Sequence, residues 1–155
     1  MSTDPEKYFW FLGSLTTIRV SAQTGDNQLS IVEQRARKGY SPALHLHHTQ
    51  DEIFHALAGE FRVVIGDQEK YLKAGDMLLI PKGTPHTYII TSHEDGRWLT
   101  ITVGVDFENF VRALERPASR LEIPPSGEDT SPENVLTVNL TAAQFGIDIV
   151  GPRLE

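Results

Sequence analysis

The sequence predicts an all-β fold, a sandwich or barrel, carrying a small helical tail. Short β-branched and aromatic runs recur from Phe9 to Val105, separated by Gly, Pro, Asn and Asp turns, which is how strands joined by tight reversals read. From Asp106 the spacing of apolar residues changes to that of a helix. The 155 residues show no break in composition, so one domain over 1–155 is expected, with a barrel core of about 8–105 and a tail of about 106–155.

The elements follow in order. Phe9–Ser21 is aromatic and β-branched with Gly13 as a break, which suggests one or two strands. Thr24–Asn27 is a turn cluster. Leu29–Arg35 alternates apolar and polar residues, and Ala43–His47 reads as a strand after the turn at Gly39–Pro42. Ile53–Ala58 and Phe61–Ile65 flank a reversal at Gly59–Glu60, and Gly66–Asp67 is a hairpin signal. Tyr71–Leu72, Met77–Ile80, His86–Thr91 and Trp98–Val105 follow as short strands.

In the tail, Asp106 can cap a helix whose apolar stripe is Phe107, Phe110, Val111 and Leu114, stopped at Arg116–Pro117. Glu122–Thr130 reads as a loop. Ser131-Pro132-Glu133 is a helix start, and Val135, Val138, Ala142 and Phe145 should lie on the protein body, with Gly146 as the terminating glycine.

Composition narrows the function. Fourteen basic residues against 21 acidic ones give a net charge of −7, and with no basic cluster this argues against nucleic-acid and anionic-membrane partners. No apolar run approaches the ~18–20 residues of a membrane span. The opening residues lack a basic segment followed by an apolar run, so no secretory signal and a cytoplasmic location are expected. With no cysteine, disulfides and thiolate metal sites are excluded.

The chemistry concentrates between Gly39 and Gly59. Residues i and i+2 of a strand share a face, so His45 and His47 project together while Leu44 and Leu46 face away. Glu52 follows five residues on. Two imidazoles and a carboxylate are the ligand types of an open divalent-metal site. A second stretch, Gly75–His86, adds the imidazole of His86 after a Pro/Gly turn. By alternation His48 and His55 leave the ligand face, and His48, Asp51 and His55 read as rim or supporting groups. Phe54, Phe61, Val63, Met77, Tyr88 and Ile90 fall on neighbouring strands and are candidates for an apolar substrate pocket as well as for core. Tyr88 shares the face of His86 and carries a hydroxyl that needs a partner if buried.

These two stretches resemble the cupin family. Gly39, His45, His47, Glu52 and Gly59 fill its first motif, and Gly75, Pro81, Gly83 and His86 fill its second; Ile90 stands where the family has Asn. The resemblance implies a jelly-roll barrel whose inward ligands are His45, His47, Glu52 and His86. They would hold one divalent transition metal, with Fe, Ni, Mn, Co and Zn all compatible with a sulfur-free ligand set. The runs F-W-F-L-G, D-E-I-F-H-A-L-A-G-E and F-G-I-D-I-V-G-P are similar to bacterial quercetin 2,3-dioxygenase-like cupins. This narrower resemblance implies a small-molecule substrate and O2, with Glu52 as both ligand and base toward a flavonol-like hydroxyl. The other readings are a metal-dependent isomerase, cyclase or decarboxylase on a small oxygenated substrate, and a non-catalytic binding cupin. A homodimer is expected, with the Tyr8–Leu12 run pairing with a partner or packing on its own barrel.

Overall fold

The computed structural model describes residues 7–24, 28–125 and 130–155. Residues 25–27 of the expected turn at Thr24–Asn27 and residues 126–129 of the expected loop at Glu122–Thr130 fall outside them. Strands β1 (Phe9–Phe11), β2 (Ser14–Val20), β3 (Leu29–Ala36), β4 (His45–His47), β5 (Glu52–Ala58), β6 (Glu60–Ile65), β7 (Gln68–Lys73), β8 (Met77–Ile80), β9 (His86–Ile90) and β10 (Gly96–Val103) are followed by helix α1 (Asp106–Leu114). Strand β11 (Arg116–Pro117), helix α2 (Pro132–Gln144) and strand β12 (Ile147–Ile149) complete the chain order. One antiparallel sheet runs β11-β1-β2-β3-β10-β5-β8 and the other β12-β4-β9-β6-β7. The two sheets form the expected jelly roll, with small helices in the C-terminal part.

Alternation decides which residues enter the barrel. In β5, Glu52, Phe54 and Ala56 are buried while Ile53, His55 and Leu57 are only partly so. In β10, Trp98, Thr100 and Thr102 point inward between Leu99, Ile101 and Val103. Phe54, Phe61, Tyr88 and Trp98 meet in the barrel with ring centroids 4.9–6.3 Å apart. Burying each such side chain contributes about 1.5–3 kcal/mol. Gly59 turns β5 into β6 at φ +78, and a Cβ there would lie 2.9 Å from the Asp95 carbonyl oxygen. Glycine alone suits both constraints.

Leu12–Gly13 separates β1 from β2, as the break at Gly13 suggested, and both residues have positive φ, 44 and 81. Four expectations about elements change. Asp106 does not cap α1: Val105 is the N-cap position and makes no side-chain cap. The Phe107 amide instead donates to Gln50 Oε1 at 2.9 Å, from a loop 57 residues away in sequence. Arg116–Pro117 does more than stop that helix, since it pairs with β1. The apolar stripe of α2 is narrower than expected: Ala142 is buried and Val138 half-buried, but Val135 is 43% exposed. Its start is as expected, with Ser131 Oγ accepting from the Asn134 amide. Ile147–Ile149, assigned no element from the sequence, is a strand paired to β4. The aromatic N-terminal run packs on its own chain, with Tyr8 and Phe11 buried.

Candidate metal centre and its cavity

Strand β4 places His45 and His47 on one face, and β9 begins with His86 in register with His45. Glu52 opens β5 in the opposite sheet. Three imidazoles from one sheet therefore meet a carboxylate from the other. The rings of His45 and His86 are 4.3 Å apart, and His47 lies 5.3 and 5.4 Å from them. One ligand nitrogen from each histidine falls within 4.8 Å of the others. Glu52 Oε2 lies 3.1 Å from His47 Nε2 and 3.3 Å from His86 Nε2.

These close approaches are not hydrogen bonds. Glu52 Oε2, His47 Nε2 and His86 Nε2 are buried and have no partner of acceptable hydrogen-bond geometry. His45 Nδ1 lies 2.7 Å from the Ala43 carbonyl and His86 Nδ1 2.9 Å from that of Thr84. A carbonyl only accepts, so each Nδ1 carries a proton, and in the neutral ring Nε2 presents the lone pair. Lone pairs and a carboxylate facing one another across 3.3 Å repel unless a cation or a proton lies among them. Ligands ~2.1 Å from one ion are separated by roughly 3.0–3.4 Å, which the two Glu52–histidine spacings of 3.1 and 3.3 Å match. The donor set thus fits a divalent transition metal, held by His45, His47 and His86 with Glu52 alongside. The Nδ1–carbonyl bonds fix ring orientation, as outer groups of metal sites do.

Electrostatics couple the four groups: burial would lower the His86 imidazole, but Glu52 and the Thr84 carbonyl override it and raise it. Burial, reinforced by His86 and His47, pushes the His45 imidazole down to about 3, so it stays neutral. Burial alone would raise the Glu52 carboxyl, but His47 and His86 override it and hold the group well below the usual carboxylate range. Glu52 is an anion waiting for a cation or a proton.

The other residues of the motif region have structural work. Asp51 Oδ1 accepts from the Lys82 amide at 2.9 Å, tying the β4–β5 loop to the turn that precedes His86. The Gly83 amide donates to the His47 carbonyl at 2.7 Å. His48 is exposed at the rim and bonds Asp148 of β12. His55 lies on the outer face of the sheet. Ile90 is buried against Gly96, deep in the core, so the departure from the family's Asn does not touch the ligands.

Above His45, His47 and Glu52 opens a cavity of about 670 Å³. Phe11, Leu12, Phe107 and Phe110 wall it, Val135, Val138 and Asn139 of α2 cover it, and Gln34, Thr100 and Tyr88 line it too. Arg153 and Glu155 reach its edge. Of the pocket candidates read from the sequence, Tyr88 alone borders this cavity. Phe54, Phe61, Val63 and Ile90 are core packed around Trp98. Met77 is corrected outright: it is 55% exposed on the outer face, because Leu78 and Ile80 take the inward positions of β8. The true walls come from the end of β1, α1, α2 and β12. Their apolar stripe was visible in the sequence, but what it covers was not.

Residues 32–102 match the family described as Cupin domain. Quercetin 2,3-dioxygenase of Bacillus subtilis (strain 168) is 33% identical over 99 residues, which are 63% of this chain and 29% of that protein. The chain therefore spans under a third of the length of this curated relative. Among solved structures, KdgF from Halomonas sp. superposes with a TM-score of 0.53 at 20% identity, covering 66% of this chain and 83% of that one. A predicted oxalate decarboxylase from Thermotoga maritima gives 0.54 at 23% identity, covering 58% and 79%. At these identities the likeness is one of fold. Helices α1 and α2 and strand β12 lie beyond the residues matched by the family. No helix among the described residues is long and apolar enough to cross a membrane. Together the two antiparallel sheets, the motif-spaced histidines and the matched residues 32–102 give this chain a cupin-like jelly roll, similar over part of its length to quercetin 2,3-dioxygenase.

Proposed function

We propose that this protein is a metal-dependent cupin oxygenase of the quercetinase type, acting on an aromatic, flavonol-like substrate with O2. The observation that carries this reading is Glu52: a buried anion at the floor of an aromatic-walled cavity, beside three imidazoles. His45, His47 and His86 would hold the metal, with Glu52 as a fourth ligand. A bound divalent metal supplies a Lewis acid that polarises a substrate oxygen. Glu52 takes the proton of a substrate hydroxyl at Oε2, the oxygen that has no hydrogen-bond partner. Phe107 and Phe110 position a flat ring between them and the cavity floor, and α2 limits access of water. Residues 1–155 act as one unit in this reading, since barrel and tail both line the cavity. The match to the Bacillus subtilis enzyme supports it.

The test is metal analysis of purified protein followed by an oxygen electrode. Flavonols, catechols and diketones are offered in turn. Oxygen uptake stoichiometric with loss of a flavonol is the expected result. Turnover of a substrate without oxygen uptake would replace this reading by the isomerase or decarboxylase one.

A further inference from the structure

One polar side chain of the cavity stands away from the candidate ligands and is held by other buried groups. Gln34 is 3% exposed, on the inward face of β3, and lines the cavity. Its Nε2 lies 3.0 Å from Ser14 Oγ, which in turn lies 2.7 Å from the Phe11 carbonyl and 2.9 Å from Thr16 Oγ1. Ser14 and Thr16 are wholly buried. A hydroxyl has one proton to give. Ser14 gives its proton to the Phe11 carbonyl, which can only accept. Toward Gln34 and Thr16 the same oxygen therefore accepts, so the amide turns its NH2 to Ser14 and Thr16 donates. This chain of bonds fixes which end of the Gln34 amide is oxygen. Oε1 is left as an acceptor for whatever occupies the cavity.

The position is not one the barrel core requires. Val32 and Ala36, the neighbours of Gln34 on the same face of β3, are apolar and fully buried. A carbonyl oxygen kept from water without a donor is costly, and a ligand that donates to it removes that cost. In an apolar pocket, a few polar groups of fixed direction set orientation and specificity. Register gives the separation from the candidate metal centre. Gln34 pairs with Trp98 of β10, and Glu52 pairs with Thr102 of β10 from the other side. Four residue steps of β10 part the two rows, ~13 Å of strand. A single ring does not reach from one to the other, whereas two or three linked rings do.

We infer that Gln34 is a specificity-determining residue. Its Oε1 accepts a hydrogen bond from a hydroxyl on the end of the substrate remote from the metal. Ser14 and Thr16 are positioning residues that hold the amide in that orientation. The inference rests on the reading of this cavity as the site of a flavonol-like substrate, and adds to it a donor on the outlying ring. A methyl ether at the same place has no proton to give and leaves Oε1 unpaired.

The experiment is calorimetric binding in the absence of oxygen, on the full metal-loaded chain. The probes are a flavonol hydroxylated on its outlying ring and the methyl ether of that hydroxyl. Circular dichroism and metal content are the fold controls. Wild type should bind the hydroxylated probe about threefold to tenfold more tightly than the ether. Gln34→Met, of similar length but without the amide, should bring the two to within ~2-fold. Ser14→Ala frees the amide to turn and should give a ratio between these. A wild-type ratio near one overturns the inference and leaves the reading of the cavity standing, because both probes still bind. An unchanged ratio in folded Gln34→Met also overturns it. If that variant fails its fold controls, an unchanged ratio in Ser14→Ala overturns it instead. Failure of both probes to bind wild type removes the flavonol reading and the inference together. A ratio that collapses in Gln34→Met, with no oxygen uptake by wild type, removes the oxygenase reading alone. A purely structural glutamine would lower the unfolding temperature of Gln34→Met and leave the ratio where it was.

Discussion

Replacing Glu108 by alanine is expected to cost about 3–5 kcal/mol, although the residue touches no candidate ligand. Its side chain is fully buried beneath α1. The carboxylate accepts from Ser21 Oγ at 2.6 Å, the Ala22 amide at 2.8 Å and Arg112 Nε at 3.0 Å. The Ala22 amide is buried, and an orphaned donor there costs ~1–3 kcal/mol. Ser21 and Arg112 are partly exposed and recover water, so each loses only about 1 kcal/mol or less. The cavity left by the missing methylenes adds roughly 1 kcal/mol. Urea unfolding at pH 7, followed by the fluorescence of the buried Trp98, should show a midpoint lower by about 1.5–2.5 M for a slope near ~2 kcal/mol per M. The sign of the pH dependence is fixed as well. Burial raises the Glu108 carboxyl, but its bonds to Ser21, Ala22 and Arg112 win and hold it low. Its stabilisation is complete above the unfolded carboxylate value of ~4.3 and is lost as pH falls through the lower folded value. The wild-type advantage over Glu108→Gln should therefore shrink in acid. A midpoint shift under about 0.5 M for the alanine variant, or an advantage that grows in acid, would refute the reasoning.

Three further outcomes are expected. Glu52→Gln should retain metal while losing at least ~10²-fold in turnover, whereas His47→Ala should lose both, as read by metal analysis and the oxygen electrode. If Glu52→Gln turns over normally with metal bound, Glu52 is not the base. Gln50→Ala removes the bond that satisfies the Phe107 amide and a second one to the Val103 carbonyl at 2.8 Å; a loss of ~1–3 kcal/mol is expected in thermal unfolding. Gly59→Ala must strain φ and displace the Asp95 carbonyl, so a loss of ~2 kcal/mol or more is expected, and unchanged stability would mean that the turn relaxes freely.

Much of the barrel was legible because a period of two is written in single residues. His45 and His47 share a face for that reason, and Gly66–Asp67 closes its hairpin with Ile65 against Gln68. The site was less legible wherever it depends on register or on distant chain. Nothing local says whether Met77 or Leu78 points inward, since both are apolar; only pairing with β5 decides it. Asp106 has the chemistry of a cap, yet its carboxylate accepts from Thr49 Oγ1 while Gln50 satisfies the helix amide. Ile147-Asp148-Ile149 is too short to declare itself a strand until β4 offers an edge. The walls of the cavity were hidden for the same reason: Phe107 and Phe110 read as the core stripe of a helix, and the void they border exists only in three dimensions.

Strand β4 has consequences for how the protein breathes. It is three residues long and is held by β9 through the His45–His86 pair and by β12 through Ile147, Asp148 and Ile149. The β12 pairing closes a loop of 100 residues, from His47 to Ile147, and backbone bonds of Leu44 to Val150, Gly151 and Pro152 and of His48 to Gly146 flank it; all of them must offset the entropy of that closure. Short segments held across so long a loop open locally before global unfolding. Amides of β4 and β12 should therefore exchange with deuterium sooner than those of β3 and β10, which share eight register pairs. A cation held by His45, His47, His86 and Glu52 would fasten β4 to both sheets at once, so adding metal should slow exchange first in β4 and β12 and leave β3 and β10 nearly unchanged.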